Sequence, residues 1–135
     1  MATHQITEET LRNFHLFYDN FPTPVTLVHK DRTILAMNKS AETAGYKAGI
    51  RCIDMGKKEH HKVCMANKAL SEQTATRLVA YFDFAEAVLD TYWIPLAGSE
   101  ELFVHYAADI TQWAAESLRP KQDDAGAGCA TCNCG

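Results

Sequence analysis

The 135-residue chain has no long apolar run, no basic run and no even set of cysteines. Each absence excludes something. No stretch approaches the roughly 20 apolar residues that a membrane-spanning helix needs. The opening Met-Ala-Thr-His-Gln-Ile-Thr-Glu-Glu is polar and acidic, unlike a secretory leader. A cytoplasmic protein with no membrane partner is the expectation. Net charge is −4, and Lys57, Lys58 and Lys62 make only a local basic patch. A nucleic-acid partner is not expected, because phosphate binding depends on clustered Lys and Arg. Five cysteines is an odd number, and cytoplasmic thiols stay reduced. A disulfide framework is excluded on that reading, which leaves packing, metal or redox roles. Nucleophile motifs, phosphate-cradling Gly-rich loops and kinase signatures are missing. Asp83, Glu86 and Asp90 are spread over strands with nothing pairing them as acid and base. An enzyme is therefore the weaker class. No internal repeat is visible.

What is present is the composition of an ordinary globular domain, 47% hydrophobic and 22% charged. Residues 7–20 read as a helix. Thr7 caps it, Glu8 and Glu9 suit its positive end, and Leu11, Phe14 and Tyr18 recur at helical spacing with Phe17 beside them. Its aromatics span two adjoining faces, more than one contact needs: the bland reading is packing on the domain's own sheet, the sharper one a dimer face. Phe21-Pro22-Thr23-Pro24 stops the helix. Residues 25–29 and 33–37 make a hairpin around a polar turn. Asn38 caps a short helix that Gly45 and Gly49 break. Residues 50–56 are irregular, and residues 58–70 read as a helix with Val63, Ala66, Asn67 and Leu70 on one side. Residues 74–84, 87–96 and 102–108 are strands. Asp109-Ile-Thr-Gln112 reads as a capping box for a short helix through Leu118. Residues 121–128 are polar and rich in Gly and Ala, a flexible tail that carries the last three cysteines.

Taken in order, Phe21-Pro-Thr-Pro-Val-Thr-Leu-Val, Ile34-Leu-Ala-Met-Asn38-Lys-Ser-Ala-Glu, Tyr92-Trp-Ile-Pro95-Leu and Asp109-Ile110-Thr111 resemble the PAS domain family over roughly residues 10–118. The resemblance implies an α+β fold: a five-stranded antiparallel sheet with short helices over one face around a ligand pocket, and an N-terminal and a C-terminal helix. The division expected is an N-terminal helix in residues 1–20, a PAS-like domain in 21–118 and a Cys-containing tail in 119–135. Cys52, Cys64 and the following Ala66-Asn-Lys-Ala-Leu also resemble a Cys-bearing subset of bacterial PAS domains, with His60 or His61 where a middle thiol stands. The candidate cofactor-facing residues are His60, His61, Phe82, Tyr92 and Tyr106.

Two clusters of soft ligands stand out. Haem-binding members of the family carry an axial His on the long helix, where His60 and His61 fall. The bland alternative is two exposed histidines between Glu59 and Lys62. Cys52, a histidine and Cys64 offer three metal ligands where structural zinc wants four, or they are buried small hydrophobes. Cys129-x-x-Cys132-x-Cys134 has the spacing to wrap zinc, copper(I) or an iron–sulfur cluster, or is a redox-sensitive tail. No Cys-x-x-Cys-His supports covalent haem. Gly49-Ile-Arg-Cys-Ile-Asp departs from the Asn-Cys-Arg-Phe-Leu-Gln run of flavin photoreceptors. His29 and His105 read as surface or packed residues. The expected function is a stand-alone sensory or signalling module that binds a small ligand or cofactor and relays it to a protein partner, as a homodimer. The alternative is a metal- or redox-handling protein that uses the tail, with the PAS-like body as a docking platform.

Overall fold

The computed structural model describes residues 6–54 and 62–120. Helix α1 (Glu8–Tyr18) begins at Thr7, whose hydroxyl accepts from the Thr10 amide at 3.0 Å. Only Phe14 of this helix is buried. Strands β1 (Val25–His29) and β2 (Ile34–Met37) follow as the expected hairpin. Arg32 turns the corner with φ +80°, and its amide bonds to the His29 carbonyl at 2.7 Å. Helix α2 (Lys39–Thr43) starts at Asn38 and ends at Gly45. The φ of +95° at Gly45 is one that a residue with a Cβ resists. The chain then returns beside β2, with Ile34 bonded to both Gly49 and Ile50.

A one-turn 3-10 segment (Cys52–Asp54) precedes helix α3 (Ala66–Glu72). The helix expected over residues 58–70 thus starts later. Residues 62–65 form a turn and its exit, and residues 58–61 lie outside the described residues. The reason lies in the packing. Ala66 and Ala69 are fully buried and let α3 lie flat on the sheet, while the turn before it brings Cys64 and Met65 onto the same core. Gln73, in the left-handed region, closes α3, and its side-chain amide donates to the Leu70 and Ser99 carbonyls.

Strands β3 (Thr76–Phe82), β4 (Ala87–Pro95) and β5 (Leu102–Asp109) complete one antiparallel sheet in the order β2-β1-β5-β4-β3. The α+β fold expected from the sequence is the fold observed. Its last part differs. In place of a continuous C-terminal helix there are two one-turn 3-10 segments, Thr111–Trp113 and Glu116–Leu118. Asp109 does cap, but its carboxylate takes both the amide (2.9 Å) and the hydroxyl (2.6 Å) of Thr111. The same contacts hold that carboxyl below its usual range. Ala114 and Ala115 are extended, which breaks any helix between the two turns. Among the described residues no helix is long and apolar enough to cross a membrane.

Candidate functional site

Opposed residues in an antiparallel pair point to the same face. The pairs Val28 with Phe103, Thr26 with His105, Trp93 with His105 and Leu78 with Thr91 define one face. The pairs Val25 with Tyr106, Leu27 with Val104, Tyr92 with Tyr106 and Arg77 with Tyr92 define the other. Each face has its own helices. Helix α3 covers the first, where Ala66, Ala69, Leu70, Trp93, Phe103 and Val28 form one buried cluster. Helix α1 covers the second through Phe14, packed with Val25, Leu27, Ala36 and Val104.

The α3 face holds the chemically active groups. Cys52 and Cys64 both pack against its cluster, and both are free thiols. Cys52 also touches a second core of Ile34, Met37 and Ala41, together with Tyr46. Burial pushes the Cys52 thiol up to about 11, and charge on Cys64 adds to the effect. Arg32 and the amides of Cys52 and Ile53 act in the opposite sense. Burial also raises Tyr46, with Cys52 contributing. Arg32 lies 5.8 Å over the Phe103 ring and donates to the Asn67 side chain at 3.0 Å. His105 stacks on Trp93 at 4.8 Å, and its Nδ1 lies 2.9 Å from the Tyr92 carbonyl. It is a packed histidine, as its place in a strand implied.

A thiol pushed up to about 11 carries roughly a hundredfold less thiolate at pH 8 than an ordinary one, and the thiolate is the nucleophile. Iodoacetamide is therefore expected to alkylate Cys52 about a hundred times more slowly than free cysteine at pH 8. The rate should climb until the pH passes about 11. Peptide mass mapping over a pH series checks this, and a rate that levels off near pH 9 would contradict the buried placement. The sign for stability follows. The neutral thiol is favoured in the fold, so its contribution is complete below the unfolded value and is lost as pH rises through about 11.

The residues singled out from sequence are dispersed. Cys52 and Cys64 pack against the same hydrophobic cluster. Phe82 shares the parity of Leu78 and sits at the end of β3 against the exposed Phe84 ring (5.6 Å). Tyr92 and Tyr106 lie on the opposite face from Trp93 and Phe103. They stack on each other at 5.4 Å, with Phe21 edge-on to Tyr106 and Arg77 over Tyr92. Arg77 grips Asp90 with two bonds of 2.7 and 2.8 Å. Trp93 and Phe103, and not the two tyrosines, therefore share the sheet face that α3 covers. His60, His61, Cys129, Cys132 and Cys134 lie outside the described residues. Among the described residues no group of three His, Cys, Asp or Glu side chains is placed to hold a metal ion. Cys52 and Cys64 are two thiols where a structural zinc needs four ligands.

Sequence reasoning missed Tyr46, Arg32 and Ala69. It also missed a groove of about 350 Å³ on the α1 face. Thr10, Asn13, Phe14 and Phe17 line its helix side, and Ile94 and Leu96 its sheet side. The exposed Leu16 (74%) and Phe17 (73%) stand on the same helix. The aromatic doubling on α1 was the signal for it.

No family model and no curated protein matches the sequence. Solved structures do match the fold. A domain of an HTR-like protein from Haloarcula marismortui is 22% identical, with 67% of this chain and 99% of that one covered at a TM-score of 0.55. A sensory box sensor histidine kinase from Vibrio cholerae is 13% identical, with 82% and 100% covered at 0.57. The PAS domain of BvgS from Bordetella pertussis is 17% identical, with 77% and 88% covered at 0.57.

Proposed function

Since the chain has the PAS fold, we propose that it is a sensory module which binds a small ligand or cofactor against the α3 face and passes the change through α1 to a protein partner. The observation that carries this reading is the cluster of Cys52, Cys64, Tyr46 and Arg32 at the edge of an apolar core. Titratable groups shifted by burial beside a packed aromatic pair are a common mark of a ligand site. The sensor histidine kinase among the structural neighbours supports a signalling role. A ligand acts by binding one arrangement of α3 more tightly than another, and shifts the equilibrium only by that difference.

The test is the absorption spectrum and native mass of the freshly purified full chain. A bound cofactor gives an added mass, and haem or an iron–sulfur cluster gives visible bands. A clean apo mass with no absorption beyond the protein's own, under conditions that keep non-covalent ligands, sinks the resident-cofactor reading.

The output surface in this proposal is α1, and its partner is a second copy. The exposed Phe17 and Leu16 are on the same helix as one wall of the groove, so two copies related by a twofold axis can each insert a side chain into the other. Phe17→Asp is expected to convert a dimer into a monomer and weaken self-association at least a hundredfold, because it places a charge in an apolar contact. Light scattering across a concentration series measures it. Equal masses for wild type and variant would remove α1 as the contact.

A further inference from the structure

Cys52 and Cys64 belong to separate parts of the fold. The Cys52 amide bonds to the Arg32 carbonyl at 2.8 Å, and its neighbour Arg51 bridges to Thr33, so Cys52 is fastened to the β1–β2 hairpin. Cys64 precedes α3, which packs mainly on β4. Both half-buried side chains nevertheless reach one hydrophobic cluster, and neither thiol is used in a disulfide. The electrostatic effect of Cys64 on Cys52 agrees with sulfurs that are near neighbours.

We propose that Cys52 and Cys64 are a peroxide-responsive thiol pair that forms a reversible disulfide and locks α3 to the hairpin. Hydrogen peroxide is the oxidant. Its O–O bond breaks on the Cys64 sulfur, because burial keeps the Cys52 thiol protonated, and Cys64 becomes a sulfenic acid as one water leaves. The second sulfur attacks the first, the S–O bond breaks, and a second water leaves with the remaining thiol proton. Two electrons pass from the two sulfurs to the peroxide oxygens. A dithiol reductant reverses the step through a mixed disulfide. The crosslink holds α3 over Trp93 and Phe103 and restricts the unfolded chain, so the oxidised form is the more stable one. This inference stands apart from the α1 contact; it uses the two cysteines of the proposed ligand site, but its disulfide forms or fails whether or not a cofactor is bound.

The full chain tests it. Cleavage at Arg51, Lys57, Lys62 and Lys68 puts the two cysteines on different tryptic peptides. After mild peroxide and alkylation, the expected species is residues 52–57 joined to residues 63–68, lighter by two hydrogens than the separate peptides. The thermal midpoint should rise by several degrees and return with dithiothreitol. Changing Cys129, Cys132 and Cys134 to Ser should leave both results intact, and Cys52→Ser or Cys64→Ser should abolish both. Recovery of Cys52 and Cys64 as separate alkylated thiols, as sulfinic acids, or joined only to the tail cysteines overturns the proposal. Circular dichroism of each Ser variant confirms that the fold is retained.

Discussion

Asn38→Ala is expected to destabilise the fold by about 4 kcal/mol, since each buried polar group left unpaired costs roughly 1–3 kcal/mol. Asn38 is fully buried. Its side-chain oxygen accepts from the amides of Val25 (2.9 Å) and Ala41 (3.0 Å). Its side-chain nitrogen donates to the carbonyls of Tyr18 (3.0 Å), Thr23 (2.9 Å) and Phe21 (3.3 Å). One residue thus joins the end of α1, the start of β1 and the start of α2. An N-cap alone is worth about 1 kcal/mol, so urea unfolding separates the two roles. A loss near 1 kcal/mol would mean that only the cap matters.

Asn38→Asp sharpens the test. It keeps the cap oxygen but turns an acceptor toward three carbonyls. Burial and those oxygens raise the native carboxyl above its unfolded value of about 3.9. The variant should therefore be most stable below that pH and lose stability as pH rises through the raised native value. Asn38→Ala should show no such pH dependence beyond that of the wild type. A flat profile for Asn38→Asp would refute the three-carbonyl arrangement.

Phe103→Ala is the second large effect, with an expected loss of about 4 kcal/mol, in the range for emptying a buried aromatic site. Phe103 is among the largest fully buried side chains and sits opposite Val28 and Pro95 in the middle of the sheet. The ring also supports Arg32, which holds Asn67 on α3. Phe103→Leu keeps most of the volume and should cost only about 1 kcal/mol. Chemical denaturation of both variants measures the difference. If both cost the same, the packing assigned to the α3 face is wrong. The Ala variant also opens a cavity beneath α3, so small apolar molecules should restore part of the lost stability.

Thr7 was legible as a cap because it bonds within one turn. Asn38 was legible for the same reason, although only its oxygen was. Its three carbonyl partners lie 15 to 20 positions earlier in the chain. The face on which Tyr92 and Tyr106 lie was not legible, for a different reason. The run Thr91-Tyr92-Trp93-Ile94 has little polar alternation, so either parity is compatible with the sequence. A one-residue change of register exchanges the faces. Pairing with Leu78 on β3 and Val28's partner strand β5 puts Trp93 and Phe103 on the face under α3 and the tyrosines on the opposite face. The start of α3 was misplaced because Val63 was read onto the helix face, whereas it is exposed in the turn before Ala66; Ala66 and Ala69 let helix and sheet approach.

By itself the sequence determined where most elements start and stop, and through their order the PAS-like architecture. Caps, prolines and turn residues act on atoms a few positions away, so their effect is written locally. The tertiary structure alone decided which face each strand residue serves, that Cys52 and Cys64 pack on one cluster, and that a groove opens beside α1. Those outcomes depend on strand register and on helices laid across a sheet, where residues remote in the chain compete for the same space.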